Sequence, residues 1–569
     1  MRFVISLIFL SFTVHLLFGQ PVDTSYSELR PLIERFQADQ ALLGRFYSIP
    51  YSSESQNRFT QFYNHWLKQL NEIDFNHLSV EGKTDFILFQ NFLNRRLQRV
   101  NYDQKRLNEI RELIPFAEKI FKLEENRRQL KQFTNPEKDA QLLFSTSHQI
   151  DSLREILYQS FKENNLGWNK TQINRAIQVL DELSDALNHW YQFYNSYHPL
   201  FTWWMQEPYK KIQKSLKEYK ETLSNILNKE NVFDVIGEPL GREALMEELA
   251  YEMIPYTPEE LISIAEKEMA WCINEMKKAS RELGFGDNWK QALEYVKNRY
   301  VPPGEQPLLV KELAWEAIDF IGARNLITIP DLAKETWRIE MMSPDRQLVN
   351  PFFTGGEVIR VSYPTNTMPH EAKMMSMRGN NIHFSRATVH HELIPGHHLQ
   401  GFMNARYKSY RRLFRTPFWG EGWAFYWEML LWDLGFPQTP EDRIGMLFWR
   451  MHRCARVIFS LKFHLGEWSP IQCVEYLVDQ IGHERTNAKA EVRRSFGGEY
   501  DPLYQLAYLI GGLQFYALYN EFVTSGRMTA KEFHDKILQE NQMPVAMVRA
   551  LLLNQLDSKT LPAWYFYEN

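Results

Sequence analysis

The sequence predicts a mainly α protein, and three observations carry that expectation. From about residue 25 to residue 300 apolar residues recur at helical spacing with few Gly or Pro, as in Phe86, Phe89, Leu93 and Leu97, or Ile173, Ala176, Ile177, Leu180, Leu183 and Leu187. Helix-start signals punctuate the chain throughout: Asn135-Pro136-Glu137, Thr257-Pro258-Glu259-Glu260, Thr439-Pro440-Glu441-Asp442, Ser469-Pro470 and Thr529-Ala530-Lys531-Glu532. The best strand candidates are short and sit together, at Trp337–Met342 and Glu357–Tyr363, the latter alternating after Gly355-Gly356 and ending at Pro364. With 569 residues, 44% hydrophobic and 24% charged, the chain can bury a large core.

Taken in order, Met1-Arg2 and the apolar run from Phe3 to Phe18, followed by Gly19-Gln20, read as an export signal over residues 1–20. No Cys stands there to accept a lipid, and no later stretch is long and apolar enough for a bilayer span. The mature protein is expected to be exported, periplasmic or extracellular, without stable membrane insertion. A net charge of −5 leaves no electrostatic footprint for nucleic acid. Cys272, Cys454 and Cys473 are too few and too scattered for a disulfide framework or a thiolate zinc cluster, which leaves His and carboxylate as metal ligands. The Pro/Gly-rich Val301–Pro307 divides a helical region, 21–300, from the remainder, 301–569.

The remainder is organised around His390-His391-Glu392-Leu393-Ile394-Pro395-Gly396-His397-His398. Neutral imidazole is a common zinc ligand, and a Glu beside a zinc-bound water is a ready general base. The spacing is not that of His-Glu-x-x-His. On an unbroken helix His391 and His397 would point roughly 240° apart. They can share a metal only if the backbone bulges or breaks, and Pro395-Gly396 is suited to that. A single-metal hydrolase also needs a third protein ligand. Downstream, Trp419-Gly420-Glu421-Gly422-Trp423-Ala424-Phe425-Tyr426-Trp427-Glu428 sets Glu421 and Glu428 two helical turns apart on one face, amid aromatics that argue for burial.

The run His-Glu-Leu-Ile-Pro-Gly-His-His-Leu-Gln (391–400), followed by Glu-Gly-Trp-Ala-x-Tyr-x-Glu (421–428), resembles the bacterial domain-of-unknown-function family 885, itself similar to gluzincin metallopeptidases of the thimet-oligopeptidase and angiotensin-converting-enzyme type. The resemblance extends over most of the chain, with its specific motifs between about residues 385 and 512. It implies a large helical peptidase-like fold, with a small β-sheet beside a zinc site in a deep cleft. It also implies one Zn²⁺ per chain, held by His391, His397 and Glu421, with His398 the rival of His397. Glu392 is then the base, and Glu428 orients a ligand imidazole. Farther on, Arg456, His464 and Trp468 match the family pattern, which implies a place for Arg456 behind the ligands or against substrate, whereas Ser460 and Lys462 replace its Asp and Gly. His464 is a candidate donor to substrate. Glu491 and Arg494 match a Glu-x-x-Arg pair and are expected to form a structural ion pair, worth little if exposed. Tyr508 matches the Tyr of Tyr-x-Ile-Gly and is the expected oxyanion donor, while Tyr504, where Gln is usual, is a candidate behind the ligands or against substrate.

The resulting expectation is an exported zinc metallopeptidase acting on short peptides. Two alternatives stay open at this point: a metal-dependent hydrolase of a non-peptide amide or ester, and a non-catalytic exported binding protein.

Overall fold

A computed structural model describes residues 26–567 apart from 131–132, 164, 229–234, 348–353 and 499. The expected export segment lies outside the described residues. Helices dominate, and their ends follow the capping signals. Asn135 accepts from Lys138 N ahead of Pro136–Lys162, and Thr257 with Glu260 closes a capping box on Pro258–Glu282. Thr439 with Asp442 does the same for Pro440–His464, and Thr529 with Glu532 for Ala530–Glu540. Each box satisfies two backbone N–H groups that a helix start would otherwise leave unpaired. Among the described residues no helix is long and apolar enough to cross a membrane.

The apolar stripes merge into three cores. One lies wholly in the first half and includes Leu143, Val179, Leu183 and Leu216. A second joins Phe36, Trp66 and Phe89 to Trp423, Trp427 and Phe515, and a third joins Met269 and Cys272 to Phe425, Phe459 and Leu509. Two cores therefore draw on both sides of Val301–Pro307. The Pro/Gly composition there marks a turn in the chain, and the packing runs across it. The join is also ionic: fully buried Arg411 donates to Glu81, Asp85 and Glu540, and Lys408 donates to Glu81 and Glu540. This network ties the Val80–Glu109 helix to the Ser409–Phe414 turn and the Ala530–Glu540 helix. The three cysteines are buried free thiols.

The two strand candidates form strands, β1 (Arg338–Met341) and β2 (Val358–Val361), but not the hairpin that their proximity suggests. They pair in parallel, from Arg338 opposite Val358 to Met341 opposite Val361. A parallel pair needs a crossover, and the short Pro344–Gln347 helix is part of it. The turn before β2 rests on the His-Glu segment. Gly356 N–H donates to the Glu392 carbonyl at 3.0 Å, and a Cβ on Gly355 would lie 2.2 Å from that oxygen. Only glycine allows this approach.

A second close approach brings the downstream motifs together. The Pro417–Asp433 and Tyr504–Tyr519 helices meet through Gly422 and Gly511. A Cβ on Gly422 would stand 2.6 Å from Gly511 backbone, and one on Gly511 2.4 Å from the Phe418 carbonyl. That contact carries Tyr504 and Tyr508 to the level of Glu421.

Candidate metal centre

The Ile382–Glu392 helix, capped by Asn381, ends at Glu392, and a new helix, His397–Asn404, begins after four intervening residues. The backbone thus breaks and restarts between the two histidines, where a bulged continuous helix would also have met the requirement. A Cβ on Gly396 would fall 1.8 Å from the His391 carbonyl, so the reversal needs glycine there. Its N–H donates to the His390 carbonyl at 3.0 Å. Trp423 locks the loop from the neighbouring helix, its indole N–H donating to the Pro395 carbonyl at 2.9 Å. The glutamate helix and the histidine loop are therefore held in register by a residue two positions from Glu421.

This arrangement gathers His391, His397 and Glu421, with one ligand atom from each lying within 4.8 Å of the others. Glu421 Oε2 is 3.4 Å from His391 Nε2 and 3.2 Å from His397 Nε2. Ligands on a tetrahedral zinc with bonds of about 2.0–2.1 Å stand roughly 3.3–3.4 Å apart. Among the described residues buried Glu421 Oε2 has only these two imidazoles to face and makes no well-aligned hydrogen bond, while Oε1 accepts from the Tyr504 hydroxyl at 2.5 Å. Such an orphaned carboxylate oxygen, facing two imidazoles, fits a divalent cation. The outer contacts fit as well. His391 Nδ1 lies 2.7 Å from Glu428 Oε1, which leaves Nε2 to face the centre. His397 Nδ1 lies 3.3 Å from Gln400 Oε1, and Gln400 donates to the Trp419 carbonyl.

His398 points elsewhere. Its Nε2 lies 2.8 Å from the Ala333 carbonyl and its ring packs on Phe402, away from the cluster. His464 also stands apart. It is buried at the far end of the Pro440–His464 helix against Phe463 and Phe496, eight residues or about 12 Å beyond Arg456. Burial and Arg106 push its pKa down to about 3, and neither ring nitrogen has a partner among the described residues. A hydrogen bond from His464 to a substrate at the centre finds no support in this placement. Ser460 is buried in the same helix, and Lys462 pairs with Glu467.

Two cavities flank the cluster and share His397, Arg415, Glu421, Tyr500 and Tyr504. One, of about 550 Å³, is lined by Gly355, His391, Glu392, Arg453, Arg456 and Tyr508. The other, of about 1030 Å³, is lined by Gln400, Asn404, Trp419, Asp501 and Gln542. The centre therefore stands midway along a cleft. The larger side adjoins a third cavity, of about 380 Å³, lined by Arg95, Arg96 and Arg99 of the Val80–Glu109 helix.

Tyr508 stacks on His391 with ring centres 6.1 Å apart, and its hydroxyl makes no hydrogen bond to a described residue. Burial and the nearby Glu421 charge hold its pKa above the usual phenol value, so it is a proton donor at neutral pH. Of the arginines here, Arg456 was expected behind the ligands or against substrate, and Arg453 was not legible as a site residue. Arg453 and Arg456 lie over the Tyr508 ring at 4.6 and 4.3 Å, where an arginine on a helix ordinarily reads as a solvated face. Glu491 is not an exposed partner of Arg494 alone. It is buried and accepts from Arg456, Arg494 and Gln505, and these cations hold it ionised against the cost of burial.

Burial opposes charge on His397, but the facing Glu421 carboxylate outweighs it and lifts the His397 pKa to about 9. Below pH 9 the metal-free site therefore carries a proton on His397, and a metal must displace it. Zinc loading at pH 7.5 is expected to release about one proton from this residue, and zinc affinity to fall about tenfold per pH unit below pH 9. In the metal-free protein the His397–Glu421 contact stabilises the fold fully below the ordinary imidazole pKa, 6.5, and is lost as pH rises through 9. Calorimetry in buffers of different ionisation enthalpy checks the release; zinc uptake without protons would contradict it.

Comparison with known proteins places the chain beside others whose activity is not established. The profile of the family described as "Bacterial protein of unknown function (DUF885)" matches residues 47–552. A solved Shewanella oneidensis structure, a "putative lipoprotein of unknown function", covers 93% of this chain and 100% of its own at 16% identity, with a TM-score of 0.67. A "putative lipoprotein" from Colwellia psychrerythraea covers 93% and 98% at 16% identity, with a TM-score of 0.59. At such identities the likeness is one of fold. A comparison with curated proteins finds no match.

Proposed function

The chain belongs to the bacterial family of unknown function DUF885, and for this member we propose the activity of an exported zinc-dependent peptidase that hydrolyses short peptides. The observation that carries the reading is the convergence of His391, His397 and Glu421 in a cleft, with the Glu392 side chain in the same cavity wall. Export is supported by the Met1–Gln20 pattern and by the lipoprotein description of the two structural neighbours.

In this reading His391, His397 and Glu421 hold the ion, and Glu428 orients the His391 ring. Bound zinc supplies Lewis acidity, which makes an adjacent water acidic near neutral pH. Glu392 accepts the proton of that water as it attacks the peptide carbonyl, and later passes it to the leaving amine. Tyr508 donates to the carbonyl oxygen as negative charge develops there. Tyr504, engaged by Glu421, steadies the ligand. Cavity space on both sides of the centre suits a chain cleaved in its middle, and the enclosing helices favour short, flexible peptides over folded proteins.

The test is a digest of a mixed short-peptide library followed by mass spectrometry. Cleavage is expected that stops on addition of a chelator and returns with zinc. A zinc-loaded protein that cleaves no peptide but hydrolyses amide or ester probes would replace peptides with another bond, and one that cleaves neither would remove the enzymatic reading.

A further inference from the structure

The smaller cavity is strongly basic in a protein whose net charge is −5. Its wall contains Arg346, Arg360, Arg415, Arg453, Arg456 and Arg494, against Glu392 and Glu421. Ion pairs behind the wall offset only part of this charge: Glu340 faces Arg360, Glu428 faces Arg453, and Glu491 serves Arg456 and Arg494. A divalent ion at the centre would add two further positive charges.

Two of these arginines form a built site. Arg453 is 4% exposed and Arg456 3%. A guanidinium carries five N–H donors. Among the described residues Arg453 donates only through Nη2, to Glu428 at 3.3 Å, and Arg456 only through Nε, to Glu491 at 2.6 Å. Arg453 Nε and Arg456 Nη1 are buried with no partner among the described residues. Leaving such donors unpaired is costly, and water or a surface carboxylate would ordinarily answer them. Both guanidinium groups are held against Tyr508, which in turn stacks on His391. The pair therefore sits one ring beyond a metal ligand, and planar forks of this kind match a carboxylate.

We propose that Arg453 and Arg456 form an anion subsite that takes a carboxylate of the substrate, one or two residues from the bond cleaved. An extended peptide advances about 3.3–3.6 Å per residue, so a carboxylate two residues along lies about 7 Å away, within reach of guanidinium groups that stand 4.6 and 4.3 Å from a ring itself 6.1 Å from His391. The substrate class becomes short peptides bearing a free C-terminal carboxylate or an acidic side chain near the scissile bond. The inference rests on the peptidase reading for the meaning of that bond, but its binding part can be tested without turnover.

The test is calorimetry on zinc-loaded protein carrying Glu392→Gln, so that the ligands survive. One pair is Ala-Ala-Ala as free acid and as C-terminal amide; the other is Ala-Glu-Ala amide and Ala-Gln-Ala amide. The acid of at least one pair is expected to bind at least about tenfold tighter than its neutral counterpart, and the pair that responds identifies the source of the carboxylate. Arg453→Gln or Arg456→Gln should reduce that preference to within about threefold at unchanged zinc content. Equal binding within both pairs overturns the proposal. So does a preference that survives both substitutions, since the metal would then be holding the carboxylate. Should Arg456→Gln fail to fold, Arg453→Gln and the ligand pairs on the arginine-intact protein decide alone. Peptide cleavage without any acid preference rejects the subsite and keeps the peptidase; an arginine-dependent preference without cleavage does the reverse.

Discussion

Glu392→Gln is expected to lose peptide turnover by at least about 10²-fold while keeping its zinc and its thermal midpoint. A positioned base contributes about 10²–10⁴ in rate, and an amide of the same shape cannot accept the water's proton. The fold should be indifferent to the change. The Glu392 contact that the surrounding structure depends on is the backbone one, its carbonyl accepting from Gly356 N–H. The measurement is kcat with a peptide identified in the digest, alongside metal analysis and thermal unfolding. Activity within threefold of the parent protein would exclude Glu392 as the base. The other carboxylate in that cavity wall, Glu421, is already committed to His391 and His397.

His391→Ala is expected to weaken zinc binding on the order of 10²–10³-fold. Structural zinc sites bind with about 10–16 kcal/mol shared among four ligands, or roughly 2.5–4 kcal/mol for each. The variant should still fold, because Glu428 is not stranded: Arg453 remains 3.3 Å from its Oε1. Glu428→Gln provides the graded control. It removes the charge behind the imidazole but no ligand, and such outer partners are worth about 10–100-fold in affinity. Competition with a chromophoric chelator reads all three proteins. Full zinc affinity in His391→Ala would remove this residue from the centre.

Much of this architecture could be read in the sequence, because local rules decided it. Capping residues set helix starts such as Pro136, Pro258 and Pro440, and alternation placed both strands to within a residue or two. Glu421 and Glu428 were legible together, since seven-residue spacing on a helix admits one geometry. The pairing of β1 with β2 was not, because parallel and antiparallel partners leave the same alternating pattern. Nor did the Pro/Gly composition of Val301–Pro307 reveal that cores run across it, a matter of long-range packing. The choice between His397 and His398 turns on the Ala333 carbonyl, 65 residues upstream. Arg453 escaped notice for a similar reason, and Arg456 was legible as a residue beside the site only through its match to the family pattern. Their burial depends on Tyr508 and Glu491, which the sequence places up to 55 positions away.

Zinc affinity in His397→Ala and His398→Ala tests most directly whether one metal centre is built from both sides of the helix break. Neighbours in sequence, the two residues face different ways: His397 Nε2 lies 3.2 Å from Glu421, and His398 Nε2 lies 2.8 Å from the Ala333 carbonyl. His397→Ala should lose zinc affinity on the order of 10²–10³-fold, with peptide turnover falling accordingly. His398→Ala should bind one zinc per chain within about threefold of the parent protein, its cost confined to stability. Weakened binding in His398→Ala with full binding in His397→Ala would contradict the centre described here.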